Sequence, residues 1–203
     1  MNLPTDLILA SASPRRQELL RNAGIPFVAQ PTDIPEDPLN GESPRACAQR
    51  LAREKALAIS SQHPERCILG ADTIVVVDNM MLGKPIDAAD AHRMLRLLSG
   101  KTHQVITGVC LVRPQTGPVR PESKVGDGGI SVDVRSEVTS VTFHELTDQD
   151  IQAYVQTGEP MDKAGAYAIQ GRASRWIPRI EGDYFNVVGL PIALVWTMLQ
   201  ENR

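Results

Sequence analysis

The sequence predicts a mixed α/β fold with both parallel and antiparallel strands. Through the first hundred residues, short apolar runs alternate with helix-period segments, as in strands joined by crossing helices. Further on, "HQVITGVCLVR" and "VDVRSEVTSVTFHEL" are rich in β-branched residues, the mark of two more strands. At 203 residues with no internal repeat, the chain suits one domain or two closely joined lobes.

Taken in order, residues 7–10 read as a short buried strand. Ser13 caps the next helix, with Pro14 at its first position, where proline is tolerated. Leu19, Leu20 and Ala23 supply its apolar face and Gly24 ends it. Residues 27–29 form a second strand, followed by the acidic, proline-rich loop "PTDIPEDPLNGESP". A long helix spans 44–60; Ala48, Leu51, Ala52, Ala56 and Ile59 line one stripe, and Lys55 falls on that face. "CILGADTIVVVD" reads as a strand, a break at Gly70-Ala71-Asp72, and a second strand segment turning at Asp78-Asn79.

A third helix covers 87–99, where Asp87 and Asp90 make an aspartate version of the capping box and Gly100 stops it. Of the two strands that follow, the second shows apolar alternation through Val134, Val138, Val141 and Phe143. Residues 114–131 between them, rich in Gly, Pro and charge, form an extended hairpin loop. Thr147 and Asp150 open a helix that reaches Thr157, an irregular Gly-rich stretch follows Gly158, and a last helix covers 191–200.

Apolar residues make up 42% and charged residues 22%, the balance of an ordinary globular protein, and the net charge is −3. That charge argues against generic nucleic-acid binding, which rests on a basic surface. Cys47, Cys67 and Cys110 contain no C-x-x-C pair, and His63, His92, His103 and His144 lack zinc-ligand spacing. The apolar run before Ala10 is too short for a signal peptide, and no stretch approaches the ~18 residues of a spanning helix. A soluble, cytoplasmic protein is expected.

Four places look costly without a function. Arg15 and Arg16 sit in a first helical turn, the positive end of the helix dipole. Either they are solvated, or they join Ser11, Ser13 and the free N–H groups in an anion site. Lys55 interrupts an apolar stripe; it snorkels to the core edge or enters a cleft. Asp72 follows an apolar run, so it is hydrogen-bonded in a turn or faces a pocket as base or metal ligand. Lys84 in "LGKP" could meet it there, or be a surface lysine. In "GEPMDKAGAYAIQG", Asp162 and Lys163 are adjacent, and Gln170 carries the donor and acceptor needed to read a base edge. The alternative for that loop is a tight structural connection.

"LASASPRRQELL", "RLAREKA", "GADTIVVVDNMMLGKP", "YVQTGEPMDKAGAYAIQG" and "VVGLP" together resemble, in order and spacing, the Maf family of nucleoside triphosphate pyrophosphatases. The likeness covers most of residues 7–199. It implies a single Maf-like domain of two lobes around a central cleft, with a long, mixed, twisted sheet like that of inosine triphosphatases. It further implies hydrolysis of the α–β phosphate bond with a divalent metal, magnesium or manganese.

Carried over by motif, Asp72, Lys55 and Lys84 would be catalytic. Ser11, Ser13, Arg15, Arg16, Thr73, Asp162, Lys163 and Gln170 would bind substrate, and Asp72 and Glu36 would hold the metal. Where relatives commonly read Asp-Glu, this chain reads Pro35-Glu36. Arg15, Thr73 and Gln170 match the branch acting on dTTP and UTP. The branch acting on 7-methylguanosine triphosphate tends to have Trp, Gln and Glu at those places. A homodimer is implied by the resemblance. The rival readings are a purine triphosphate substrate, or a nucleotide-sensing regulator of division without turnover.

Overall fold

A computed structural model describes residues 7–114, 125–126 and 129–201. The strands are β1 (Leu7–Leu9), β2 (Val28–Ala29), β3 (Cys67–Val77), β4 (Met80–Leu82), β5 (Thr102–Pro114), β6 (Val125–Gly126), β7 (Ile130–Thr142) and β8 (Arg179–Glu181). The helices are α1 (Pro14–Asn22), α2 (Pro44–Ser60), α3 (Ala88–Leu98), α4 (Asp148–Val155), α5 (Tyr184–Val188) and α6 (Ile192–Glu201). The sheet is mixed, in the order β2-β1-β3-β5-β7-β6, with β4 added to β3 and β8 to β7. β1 runs parallel to β2 and β3, whereas the β3–β4, β6–β7 and β7–β8 pairs are antiparallel.

The chain divides into two compact units. The first takes residues up to Asp72, Thr107–Ser136 and Gly189 onwards; the second takes Thr73–Ile106 and Glu137–Val188. In the first unit, α2 lies against β3 and β5 with Ile8, Ala52, Ala56, Ile59, Ile68, Cys110 and Val112 in its core. Two glycines allow that approach. A methyl group at Gly70 would collide with the Ala52 carbonyl oxygen, and one at Gly108 with that of Ala48. In the second unit, Met94, Leu95 and Leu98 of α3 pack with Val105, Val141, Phe143, Tyr154, Tyr167 and Trp176.

Local signals act largely as expected. Ser13, Ser43, Asp87 and Thr147 cap α1, α2, α3 and α4 through backbone N–H groups of Arg16, Ala46, Asp90 and Asp150. The Thr147–Asp150 box is reciprocal, whereas Asp90 Oδ2 accepts from Ile86 N. Asp78 and Asn79 both take positive φ, as a two-residue hairpin turn requires.

Three expectations need correction. β3 is continuous through Gly70-Ala71-Asp72, because Gly70 serves the close approach of α2 and not a break in the strand. In β7 the fully buried alternation is Thr139, Val141 and then Phe143; Val134 and Val138 are only half-buried. Between Gly158 and α6, the stretch expected to be irregular contains short 3-10 turns, β8 and the five-residue α5. Most of the extended hairpin loop expected over 114–131 lies outside the described residues.

Candidate active site

Asp72 and Gly70 point to the same face of β3, since side chains alternate along a strand. Gly70 lies beneath Ala52 and Ala56 of α2, so Asp72, two residues on, shares the face of β3 that α2 covers, and Lys55 falls on the buried face of that helix between those two alanines. The ammonium group reaches it: Lys55 Nζ is 2.6 Å from Asp72 Oδ1 and 2.5 Å from Glu36 Oε1. Both Lys55 and Asp72 are 7% exposed, while the Glu36 side chain keeps 40% of its surface. Lys55 thus joins two carboxylates from different segments, in place of the snorkelling lysine that composition alone allows.

Glu36 stands on a long loop, which a second arrangement fastens. Arg50 of α2 donates from Nε and Nη2 to both carboxylate oxygens of Glu42, and from Nη2 to the carbonyl of Asp37. Glu42 also accepts from Leu39 N. The Arg50 bonds hold the Glu42 carboxyl down to about 2. Sequence reasoning passed over both residues; the only signal was an acid just ahead of the α2 cap and a base two turns into the helix.

At the start of α1 the two arginines part ways. Arg16 is buried; its Nε donates to the Gly189 carbonyl, and Nη1 donates to the Ala71 carbonyl and to Ser11 Oγ. Burial lowers its pKa, against the raising influence of nearby Asp72 and Glu36. Ser11 Oγ also accepts from Ser13 N, so with two donors bound its own proton is left to donate. Arg15 and Ser13 are half-buried on the same turn.

The remaining sequence candidates belong to the second unit. Thr73 follows Asp72 directly and is half-buried, while Lys84, Asp162 and Gln170 are exposed. Gly165 N donates to the Gly83 carbonyl beside Lys84, and Gly165 packs on Val75 with φ +68. Lys163 Nζ binds the Glu159 carbonyl at 2.6 Å and Asp162, so the Asp162-Lys163 pair braces its own loop.

Glu36 and Asp72 are hard oxygen donors gathered on one positive charge, and this donor set fits magnesium or manganese, which needs only one or two carboxylates when phosphate oxygens complete its shell. No group of three or more His, Cys, Asp or Glu side chains among the described residues is placed to hold a metal. No helix among them is long and apolar enough to cross a membrane.

The family model described as Maf-like protein matches residues 6–202. The chain belongs to the Maf family. Among its relatives, the dTTP/UTP pyrophosphatase of Koribacter versatilis (strain Ellin345) is 53% identical over 199 residues, covering 98% of this chain and 95% of that protein. The dTTP/UTP pyrophosphatase of Symbiobacterium thermophilum is 52% identical, covering 96% and 93%. Among solved structures, the Staphylococcus aureus Ham1 protein aligns over 98% of this Maf chain and 100% of its own at 12% identity, with a TM-score of 0.48, too faint to add to the fold described above.

Proposed function

We propose that this Maf protein is a nucleoside triphosphate pyrophosphatase that converts dTTP and UTP to the monophosphate and pyrophosphate. The observation that carries the reading is the buried Lys55–Asp72 pair with Glu36 joined to it from the exposed side, in a chain about half identical to proteins named dTTP/UTP pyrophosphatase. Fixed by Lys55 through Oδ1, Asp72 uses its other oxygen to take a proton from the attacking water. The water oxygen bonds to the α-phosphorus, the bond from that phosphorus to the α–β bridging oxygen breaks, and pyrophosphate leaves. Glu36 and Asp72 are the residues that would hold a divalent cation, whose chemistry there is to neutralise charge on the phosphate oxygens.

Arg15, Ser13 and the Ser11 hydroxyl bind phosphate oxygens at the α1 N-terminus; by family motif, Lys84 is a further catalytic cation, and Asp162 and Lys163 are substrate-binding residues. Buried Arg16 adds positive potential and holds the Ala71 carbonyl next to Asp72. Thr73 and Gln170 distinguish the base. On this reading the protein acts in the cytoplasm, binds no nucleic acid, and pairs as a homodimer.

The test is a panel of pyrimidine, purine and modified triphosphates in ¹⁸O-water with magnesium or manganese. dTMP or UMP carrying the label, together with unlabelled pyrophosphate, is the expected result. Orthophosphate plus a diphosphate would overturn the bond assignment, and preferential turnover of purines would overturn the base assignment. Tight dTTP binding without turnover would favour a nucleotide sensor.

A further inference from the structure

In the second unit, the exposed Gln170 stands on a loop whose backbone is gripped from two sides. Tyr154 Oη accepts from Ala168 N at 3.1 Å and donates to Glu159 Oε1 at 2.8 Å. The Glu159 carboxylate in turn accepts from Arg172 N, at 3.1 Å to Oε1. Glu159 is itself anchored, because Lys163 holds its carbonyl. Burial and the Glu159 bond push the Tyr154 pKa up, so the phenol keeps the proton it donates.

Gly171 shows how close this grip is. Its φ of −104° is negative, so no left-handed backbone demands a glycine here. What excludes a side chain is Glu159: a methyl group at Gly171 would overlap its carboxylate. The acid therefore occupies the space where residue 171 would carry its Cβ, one residue from Gln170.

We infer that Glu159 is a positioning residue for base selection, which with Tyr154 fixes the backbone on both sides of Gln170 and thereby the direction in which that amide is presented. The inference rests on the reading that Gln170 distinguishes the base. Loosening the clamp leaves the phosphate chemistry of the first unit in place and blurs the choice of nucleotide.

The experiment measures kcat and KM for dTTP, UTP, CTP and GTP, with inhibition by pyrophosphate, for E159A, E159Q, G171A, the E159A/G171A double variant and Q170A. For E159A the expected result is a rise in KM for dTTP and a roughly ten- to hundredfold loss of selectivity, with kcat and pyrophosphate inhibition little changed. G171A should reproduce this by displacing the carboxylate. The double variant should be no worse than E159A, because the methyl then fills vacated space. E159Q, which keeps one acceptor oxygen, should recover part of the selectivity.

Wild-type selectivity in E159A, with Q170A losing it, would overturn this inference alone. Wild-type selectivity in Q170A would overturn the base-reading role and this inference with it. Equal losses for every nucleotide and for pyrophosphate inhibition would make Glu159 merely structural. Should E159A fail to fold, Y154F, which removes only the phenol oxygen, is read in the same way.

Discussion

Arg16 Nε donates to the carbonyl oxygen of Gly189 at 2.8 Å, across 173 residues of chain. The same guanidinium holds the Ala71 carbonyl, so this arginine ties α1, β3 and the approach to α6 together within one unit. Arg16→Ala removes a donor from each of the Gly189 and Ala71 carbonyls, at on the order of 1–3 kcal/mol each, and should lower Tm by roughly 5 °C or more. Arg15→Ala should leave Tm almost unchanged and reduce kcat/KM about 10²–10³-fold. Thermal melts beside initial rates separate the two, and the opposite pattern would exchange their roles.

Asp72→Asn keeps the shape and the hydrogen-bond acceptor towards Lys55 but removes the basic oxygen pair. Turnover of dTTP should fall about 10²–10⁴-fold, the usual worth of a positioned base. KM should move much less, because Asp72 serves the transition state more than ground-state binding. A variant with full kcat and only a raised metal requirement would make Asp72 a ligand and not a base.

His103 gives a pH dependence unrelated to catalysis. It is 2% exposed, has Nε2 2.8 Å from the Tyr167 hydroxyl, and meets Phe143 and Tyr167 edge-on. Burial drops its pKa from 6.5 to about 4. Because the folded value is the lower one, the unfolded chain takes up the proton first as pH falls. Stability is complete above pH 6.5 and is lost between 6.5 and 4, by up to about 3 kcal/mol. Denaturant unfolding across that window should show the slope, and His103→Phe should flatten it.

Glu42 and Arg50 fasten the loop that carries Glu36, so Arg50→Leu should weaken metal binding without touching a ligand. The half-activating manganese concentration should rise about tenfold or more, with direct manganese binding followed by electron spin resonance weakening in step. The Glu42 carboxyl is depressed from 4.5 to about 2, so its stabilising bond is present above pH 4.5 and fades as pH drops towards 2. In Arg50→Leu that acid-range loss should shrink.

Much of this was legible in the sequence because periodicity reports burial. The stripe on α2 singled out Lys55 by its misplaced charge, and the caps and hairpin turn followed from side-chain chemistry within three or four residues. Long-range partners leave no such trace. Nothing in "SPRR" tells which arginine turns inward, since that depends on carbonyls 55 and 173 residues away. Gly70 suggested a strand break because glycine more often marks a bend; its actual partner, Ala52, belongs to a helix eighteen positions earlier. Glu159 carries no such signal, because its carboxylate is held by the Arg172 backbone N–H and a tyrosine hydroxyl, which leave no charge pattern.

The bare surfaces of Gly70 and Gly108 bear on how such a protein can change over generations. Where α2 meets β3 and β5 at these points, main chain rests on main chain with no side chain as spacer. Exchanges among the aliphatic residues nearby therefore have little leverage on the span between Lys55 and Asp72. The register of the charged pair thus leans on two positions that carry no chemistry of their own, where even a methyl group would force the helix off the sheet.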